Sequence, residues 1–422
     1  MSSGMGAPPS EVAELVTGAA RAAQAAAEAM ADAADETVGA ALAEIASRLS
    51  SEAGALLEAN ADDIEAAEGV LSPGLVDRLR LGEARLAGIA EQVTALAALP
   101  PLGRVAGVRT LANGLVVEER RVPVGVIGAN YEARPNVTVD VATQLVKSRN
   151  AGVLRTGGAS LRSATALVDR VIGPGLAAAG LPAGAVQLVR TADREAASVL
   201  VSLPQLIPLV ILRGSGETTA SLARQATEHG VRSLAHAEGG GVLYVHPGAD
   251  PEMALGLIEG SLDRLGVCNR LNLLLVDEAL WDAFVPQAVA RMAPLGVTAS
   301  LPPHDHPIGY EWANDPDRGA TVTIAPVGGA VAAARLASAE TSGLAAGIVT
   351  GDREAAAAFL NAYRGTAGFW NAITRWLDGF ELTSAPETGI NIDRVPGPRG
   401  PVTYRDLYLR QYVITGDGTQ RR

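Results

Sequence analysis

The sequence is poor in several features, and each shortage excludes a class of protein. Its 422 residues include one cysteine, which excludes a disulfide framework. Its formal net charge is −12, whereas a nucleic-acid partner needs a basic face. Apolar runs such as Leu206–Leu212 are far shorter than the roughly 20 residues of a membrane-spanning helix. Because Met1–Ser10 also has no signal-peptide pattern, we predict a cytoplasmic protein that binds neither nucleic acid nor membrane.

Lysine and the common nucleotide-binding motifs are scarce as well. Lys147 is the one lysine among 34 basic residues, so lysine Schiff-base chemistry would have to use it. The chain has neither a G-x-G-x-x-G fingerprint nor a Walker motif. His304 and His306 lie among prolines, a context typical of an exposed loop, and we predict no metal site.

The first hundred residues are rich in alanine and predict only helices. Apolar spacing indicates one long helix over Glu11–Leu49, a second over Ser51–Ala67 and a third from Gly82. Arg104–Val122 then has the pattern of two strands joined by an Asn-Gly turn.

Short apolar strands alternate with helices from Val122 onward, beginning with a predicted strand at Val122–Ile127. Such β-α-β units predict parallel sheets covered on both faces, in a doubly wound α/β architecture. A second α/β unit starts after Gly239–Gly241. Ser384–Gly400 is rich in proline and glycine and predicts irregular chain before a last strand over Tyr408–Val413.

Cys268 lies between a predicted helix and a predicted strand at Asn272–Val276. Its thiol is a candidate nucleophile, because cysteine attacks readily once its pKa is lowered. A lone cysteine is also commonly a small buried hydrophobic residue, and the residues alone leave both interpretations open.

Asn136 lies in Tyr131–Asp140, which joins the first strand of the α/β unit to a helix predicted over Val137–Arg149. Open α/β sheets bind ligands at the carboxyl ends of their strands. The Asn136 amide is therefore a candidate donor to an oxyanion, and a helix cap after Pro135 is the alternative.

Two more loops follow predicted strands, at Leu154–Gly158 and Arg213–Gly216. Arg155 stands where an acidic residue would favour a free ribose hydroxyl, so the 2′-phosphate of a dinucleotide is a candidate ligand. The glycine loop at Arg213–Gly216 is suited to phosphates through its backbone N–H groups.

Three segments together are far more specific than any single loop. They are Glu-Arg-Arg-Val-Pro-Val-Gly-Val-Ile-Gly at 119–128, Tyr-Glu-Ala-Arg-Pro-Asn-Val-Thr-Val-Asp at 131–140 and Gly-Leu-Pro-Ala-Gly-Ala-Val-Gln at 180–187. In these segments the chain resembles the gamma-glutamyl phosphate reductase family of the aldehyde dehydrogenase superfamily. The likeness continues at Asn60–Ile64, Asp77–Leu79, His236–Gly239, Cys268–Asn269 and Asn371–Arg375. It covers most of the chain and is weakest in the C-terminal third.

The resemblance implies an α/β, aldehyde-dehydrogenase-like fold with a doubly wound cofactor domain, an α/β catalytic domain and a β-arm for oligomerisation. We expect the cofactor domain in residues 1–110 and 123–237, and the catalytic domain in 238–380. The arm would comprise residues 111–122 and 401–422, and residues 381–400 would return to the cofactor site. A homodimer or homotetramer is expected.

The same resemblance implies NADPH-dependent reduction of an acyl phosphate to an aldehyde. Cys268 would attack the acyl carbon and release phosphate, and NADPH would reduce the thioester. Asn136 and the backbone N–H of Cys268 would form the oxyanion hole. The implied cofactor contacts are Arg155, Gly157, Gly158, Arg213, Gly214, Ser215, Gly216 and Glu387. The implied substrate contacts are Glu132, Arg134, Asn269 and Arg375.

Several positions depart from the family pattern. Leu265 replaces a proline three residues before the cysteine, and Ser342–Ile348 lacks the histidine, threonine and aspartate of a Ser-x-His-Thr-Asp-like stretch. The changes at Leu344–Ala346 favour an alternative function, a diverged enzyme that reduces another acyl phosphate or thioester. A second alternative is a noncatalytic partner of an amino-acid kinase. A kinase that supplies the labile acyl phosphate is a candidate partner on either view.

Overall fold

The computed structural model describes residues 10–71, 73–214, 216–236, 239–315, 317–392 and 397–420. Five helices come first: α1 (Glu11–Asp32), α2 (Asp35–Ser51), α3 (Ala53–Ala67), α4 (Pro73–Leu79) and α5 (Glu83–Ala98). Two strands follow, β1 (Val105–Thr110) and β2 (Val116–Pro123). Within the described residues, no helix is both long and apolar enough to cross a membrane.

The single long helix predicted over Glu11–Leu49 is wrong, because the chain breaks after Asp32. Ala33 is extended, and its carbonyl accepts hydrogen bonds from Arg149 Nε at 2.9 Å and Arg104 Nη2 at 3.1 Å. Arg149 also pairs with Asp35 at the start of α2. Arg104 and Arg149, which are distant in sequence, thus donate to a carbonyl that would accept a backbone N–H in a continuous helix.

The first parallel sheet contains five strands and their connecting helices. In chain order these are β3 (Val126–Tyr131), α6 (Pro135–Lys147), β4 (Ala151–Thr156), α7 (Leu161–Ala166), α8 (Gly173–Ala178), β5 (Val186–Leu188), α9 (Glu195–Leu200), β6 (Leu209–Arg213), α10 (Gly216–Glu228) and β7 (Arg232–His236). The strand order is β5-β4-β3-β6-β7, and every pair is parallel. The order reverses between β3 and β6, which is where doubly wound sheets place their ligands.

The predicted strand at Val122–Ile127 is also wrong, because two strands divide that segment. β2 ends at Pro123 and β3 begins at Val126, with Gly125 at a positive φ of 109° between them. The chain turns there from the arm into the buried sheet, a conformation that a side chain would oppose.

The second parallel sheet contains six strands. Its elements are β8 (Gly241–Val245), α11 (Pro251–Gly260), β9 (Leu271–Asp277), α12 (Trp281–Met292), β10 (Thr298–Ser300), β11 (Thr321–Val327), α13 (Ala330–Glu340), β12 (Ala345–Val349), α14 (Arg353–Ala362) and β13 (Ala367–Trp370). The strand order is β10-β11-β9-β8-β12-β13. Apolar side chains from both of its faces form separate buried clusters, as expected for a sheet covered by helices on each side.

The C-terminal segment returns to the first half of the chain and then forms an arm. It contains α15 (Gly379–Thr383), β14 (Gly389–Asn391), β15 (Gly400–Val402) and β16 (Tyr408–Thr415). β16 pairs with β2, and β2 with β1, in an antiparallel three-stranded sheet. This sheet begins at Val105, earlier than the predicted arm boundary at residue 111. The Asn-Gly turn predicted between its first two strands is confirmed, with Gly114 at a φ of 85°.

Candidate active site

The candidate site lies between the carboxyl ends of the strands of the first sheet and the amino ends of the strands of the second. Arg134 follows β3 and Arg213 is the last residue of β6, on either side of the point where the strand order reverses. Cys268 lies three residues before the amino end of β9. The charges of both arginines lower the pKa of the Cys268 thiol, so they act on it at close range. The fold therefore brings two predicted binding loops to the predicted nucleophile.

Backbone hydrogen bonds and a close glycine fix the position of Cys268. Its carbonyl accepts the N–H of Gly240 at 2.7 Å. A Cβ atom at Gly239 would lie 2.6 Å from the Cys268 carbonyl oxygen and 2.8 Å from its Cα, so only glycine fits there. Ser342 Oγ donates to the Gly239 carbonyl at 2.8 Å. The amino ends of β8 and β9 are thus tied together beneath the thiol.

The surroundings of Cys268 keep its thiol protonated at neutral pH. Burial raises its pKa to about 11, and Glu387 and Glu311 add to this rise while Arg213 and Arg134 oppose it. A thiolate is the attacking form, so the resting site needs either a proton acceptor or an added positive field before it reacts.

Asn136 occupies the first turn of α6, directly after Pro135 at the first helical position. The residue before the helix is Arg134, so the alternative of Asn136 as the cap is wrong. The Asn136 side chain instead donates from Nδ2 to Asp140 Oδ2 at 3.1 Å, one helical turn along. A carboxylate therefore holds one N–H of the amide, and the second N–H stays available to a ligand.

Asp140 is the carboxyl group that sequence analysis overlooked in this segment. Desolvation raises its pKa to about 7, Arg213 opposes that rise, and Glu387 and Asp378 add to it. Arg213 and Glu387 act on Cys268 as well, so Asp140 and the thiol belong to one charged cluster. The four-residue spacing of Asn136 and Asp140 was the available signal, but the predicted helix began only at Val137 and therefore left Asn136 outside it.

Two arginines act on the thiol, and a third contacts the loop that carries it. Arg134 forms an ion pair with Glu132 at 2.6 Å. Arg213 donates to the Thr388 carbonyl at 3.4 Å. Arg78, in the last turn of α4, donates to the Gly266 carbonyl at 3.4 Å and helps to lower the pKa of Arg134. Arg78 lies in a segment that resembles the family, but no role was predicted for it because nothing in the local sequence indicates that α4 reaches this loop.

Glu387 closes the cluster from the C-terminal segment. Its Oε2 accepts the N–H of Gly379 at 2.8 Å, and a Cβ at Gly379 would overlap that carboxylate. Burial raises the pKa of Glu387, while Arg213 counteracts the rise. Its predicted contact with the nicotinamide ribose stays a prediction, and the structure brings the carboxylate within the electrostatic reach of Cys268.

Glu311 is a second residue that sequence analysis missed. Both of its carboxylate oxygens lie 2.9 Å from the backbone nitrogen of Gly239 and accept its N–H. Gly239 is the glycine that packs against the Cys268 backbone. The loop that carries Glu311 has no regular pattern in the sequence, and its tie to Gly239 spans 72 residues. No local signal could have identified it.

The carboxyl end of β4 offers the chemistry of a dinucleotide site. Arg155 is buried; its Nη1 donates to Asn130 Oδ1 at 3.3 Å and its Nη2 to the Asp193 carbonyl at 3.1 Å. Its Nε is buried without a hydrogen-bond partner. A Cβ at Gly157 would lie 3.1 Å from the Ala133 nitrogen, and one at Gly158 would lie 2.9 Å from Ala192 Cβ. An unsatisfied guanidinium nitrogen and a close-packed glycine pair fit a phosphate-bearing cofactor.

The remaining predicted contacts are the glycine loop at 214–216 and the pair Asn269 and Arg375. Gly214 and Gly216 flank Ser215, which lies outside the described residues. Asn269 is buried, and its amide donates to the Arg375 and Leu377 carbonyls at 3.0 Å each. Arg375 in turn binds Asn269 Oδ1 and pairs with Asp263 at 2.7 Å. Asn269 and Arg375 thus bind each other beside the thiol, and their predicted substrate contacts stay predictions.

An apolar wall also lies against Cys268. The thiol packs against a buried cluster of Leu344, Ala345, Leu377 and Ile390. Leu344 and Ala345 belong to the stretch that departs from the family pattern. The departure therefore lies against the candidate nucleophile rather than at a remote surface.

Two other features lie apart from this site. His304 and His306 pack against each other, and His306 lies edge-on to the buried Trp312 at 4.6 Å between ring centroids. Across the residues with described positions, no group of three or more His, Cys, Asp or Glu could hold a metal ion. A groove of about 800 Å³ lies between α3 and α7 and includes Gly158 in its lining.

Comparisons with known proteins agree with this geometry. Residues 5–309 match the model of the aldehyde dehydrogenase family. Gamma-glutamyl phosphate reductase of Methylorubrum extorquens is 36% identical over 96% of this chain and 96% of its own length. The enzyme of that name from Chloroflexus aggregans is also 36% identical, over 94% of this chain and 97% of its own length.

Solved structures give the same result. The crystal structure of gamma-glutamyl phosphate reductase from Thermotoga maritima is 28% identical with a TM-score of 0.89, and the match covers 96% of this chain and 100% of that one. An acetylating aldehyde dehydrogenase from Geobacillus thermoglucosidasius shares the fold at 16% identity, with a TM-score of 0.72 over 98% of each chain. The aldehyde dehydrogenase fold implies a nicotinamide cofactor. The chain therefore belongs to the gamma-glutamyl phosphate reductases, oxidoreductases of the aldehyde dehydrogenase superfamily.

Proposed function

We propose that this protein reduces L-glutamyl 5-phosphate to L-glutamate 5-semialdehyde and phosphate in the cytoplasm, with NADPH, in proline biosynthesis. The observation that carries the proposal is that Arg213 and Cys268 meet at one segment of the chain: Arg213 donates to the Thr388 carbonyl and Cys268 packs against Ile390, while Arg134 and Arg213 both act electrostatically on the thiol. A cysteine beside two arginines can attack an acyl carbon while the leaving phosphate is held by guanidinium groups.

Cys268 begins the reaction by forming a bond from its sulfur to the acyl carbon, the bond from that carbon to the phosphate oxygen breaks, and the thiol proton leaves with the phosphate as HPO4²⁻. One N–H of Asn136 and the backbone N–H of Cys268 stabilise the oxyanion that forms. NADPH, when bound, supplies the hydride that reduces the resulting thioester. Cys268 then leaves as the aldehyde forms.

Three arginines supply the positive charge that an anionic substrate requires. The whole chain is acidic, with a formal net charge of −12, so it repels phosphates at long range. Arg78, Arg134 and Arg213 lie on three different elements around the thiol. Arg134 and Arg213 would bind the leaving phosphate or the substrate carboxylate, with Glu132 orienting Arg134.

Arg155, Gly157 and Gly158 would hold the adenosine end of NADPH, with Gly214, Ser215 and Gly216 at its pyrophosphate. The unsatisfied Nε of Arg155 supports the preference for NADPH, because a 2′-phosphate would satisfy it. We expect Arg155→Gln to raise the KM for NADPH about tenfold or more and to change the KM for NADH little. Arg190→Gln, which removes an exposed ion pair with Asp169 at the same sheet edge, is the matched control.

The arm formed by β1, β2 and β16 would join copies of the chain into a homodimer or homotetramer. Val108, Leu409 and Ile414 on this arm are each more than half exposed, which leaves apolar surface for a partner to cover. The acyl phosphate is labile, so the kinase that makes it is the candidate partner for transfer.

The reverse reaction tests the proposed function. We expect the native chain to reduce NADP with pyrroline-5-carboxylate, the cyclic form of the aldehyde, only when phosphate is present. Cys268→Ala should lose this turnover and still bind NADPH. Turnover that is independent of phosphate, or that survives in Cys268→Ala, would refute the mechanism.

The apolar wall favours a second candidate function. Leu344 and Ala345 stand where the family pattern has polar residues, and both are buried beside Cys268. An enzyme that reduces a less polar acyl phosphate or an acyl thioester would use such a wall. A panel of acyl phosphates discriminates the two functions, because the highest kcat/KM on the glutamyl compound would exclude the second.

A further inference from the structure

The Asn136 amide needs a partner that fixes its rotation, and Asp140 is placed to supply it. The last torsion of an asparagine side chain is broad, so an unrestrained amide would sample many orientations. Asn136 Nδ2 donates to Asp140 Oδ2 at 3.1 Å, and the two residues lie one turn apart on α6. This bond occupies one N–H and defines the direction of the other.

Charged groups from three further elements surround Asp140. Arg213 at the end of β6 opposes the rise of its pKa, and Glu387 and Asp378 in the C-terminal segment add to it. From β3, the Tyr131 hydroxyl donates to Thr138 on the same helix at 2.9 Å, and Asp140 helps to raise the pKa of that hydroxyl. Arg213 is the nearby positive charge that favours the ionised carboxylate.

A purely structural role for the pair would be small. A polar pair at this spacing stabilises an exposed helix only slightly, and α6 is already packed in the core through its apolar residues. Placing a carboxylate among desolvating side chains is unfavourable unless hydrogen bonds and positive charge compensate for it, and here Asn136 and Arg213 do so. Arg213 acts on both Asp140 and Cys268, and it donates to the Thr388 carbonyl, two residues from the Ile390 side chain against which Cys268 packs.

We propose that Asp140 is a positioning residue of the reductase, which holds the Asn136 amide in the orientation that donates to the oxyanion formed at Cys268. The inference rests on the proposed function. The ionised carboxylate is the stronger acceptor, so the positioning form is the deprotonated one. Because the pKa of Asp140 is raised to about 7, its positioning role should strengthen as the pH rises through neutrality.

A double-mutant cycle separates positioning from a structural role. We expect Asp140→Ala to lower kcat about 30-fold to 100-fold with less than a threefold change in KM, because one preorganised donor is lost from the transition state. The double variant with Asn136→Ala should be no slower than Asn136→Ala alone. Asp140→Asn, which keeps an acceptor oxygen, should recover most of kcat and lose the inflection near pH 7. Losses that multiply, or a folded Asp140→Ala with native kcat, would overturn the proposal.

A second measurement needs no turnover. We expect the Asn136 side-chain amide signal in NMR, identified by its loss in Asn136→Ala, to shift with pH with a midpoint near 7 and to stop titrating in Asp140→Asn. Asp406→Asn is the matched control, because Asp406 is a half-buried carboxyl in the C-terminal segment that also has a raised pKa and accepts a hydrogen bond from the Thr403 N–H. A signal that ignores pH and Asp140→Asn would refute the inference. Because this measurement needs no substrate, an inactive native chain would refute the proposed function and leave the Asp140 result intact.

Discussion

The two walls around Cys268 differ sharply in chemistry. The wall from the first sheet carries Arg134, Asn136, Asp140 and Arg213, whereas the apolar wall is formed by Leu344, Ala345, Leu377 and Ile390. The first wall supplies charge and hydrogen-bond donors. The apolar wall packs against the thiol, whose pKa is raised mainly by desolvation. The first wall therefore provides the charges, and the low polarity of the second wall strengthens their electrostatic interaction with the thiol.

Removing the thiol that lies between the two walls should have the largest effect on activity. We expect Cys268→Ala to lower kcat at least about a thousandfold, because neither wall offers another nucleophile among its described residues. NADPH binding, measured by fluorescence titration, should be unchanged. Turnover within tenfold of the native rate would show that Cys268 is not the nucleophile.

Asn136→Ala tests the charged wall alone. The loss of one oxyanion donor should lower kcat about a hundredfold to a thousandfold and leave KM nearly constant. Steady-state kinetics give both constants, with Asn361→Ala on the exposed side of α14 as the control. A rise in KM at constant kcat would assign Asn136 to ground-state binding instead.

Leu344→His tests the apolar wall by restoring the residue type of the family pattern. Burying an imidazole there should destabilise the protein by about 2 kcal/mol in urea unfolding. It should also raise kcat/KM for the glutamyl compound about tenfold relative to a less polar acyl phosphate. Leu344→Met conserves volume and is the control. An unchanged substrate ratio would show that this wall does not select the substrate.

Arg213→Gln produces the smallest expected effect and links the two walls. Burial raises the pKa of Cys268 to about 11, so its alkylation rate should increase with pH throughout the neutral range. Arg213 opposes that rise, so its removal should slow alkylation at pH 8 by about threefold to tenfold. The iodoacetamide rate at several pH values measures this. An unchanged rate would mean that the charge of Arg213 does not act on the thiol.

Sequence patterns predicted the first sheet well because its strands are short apolar runs between amphipathic helices. The helix predicted over Val137–Arg149 is present as α6, which begins two residues before its predicted start and ends at Lys147. β7 was not predicted, because it is an edge strand with partly exposed side chains. The break after Asp32 could not be predicted either, since Arg104 and Arg149 impose it from distant positions.

The candidate site divides in the same way. Cys268, Asn136, Arg134 and Arg213 follow from strand ends and motif segments, and the structure gathers them in one cluster. Arg78 and Glu311 reach the cluster through tertiary contacts at Gly266 and Gly239, which no local pattern encodes. The sequence patterns therefore indicated groups near the ends of predicted strands and missed those whose place in the site depends on tertiary contacts.

The return of the C-terminal segment has a consequence for how the chain folds. The Tyr404 N–H donates to Gln144 Oε1 at 2.6 Å, and the Leu407 carbonyl accepts from Asn150 Nδ2 at 2.9 Å, so these bonds span more than 250 residues. One edge of β2 likewise stays unpaired until β16 is available to pair with it. During synthesis, the early helices and first sheet leave the ribosome long before these partners exist. Folding of the first half can therefore finish only once β16 and Tyr404 have been synthesised, and β2 is an open edge for pairing with other chains until then.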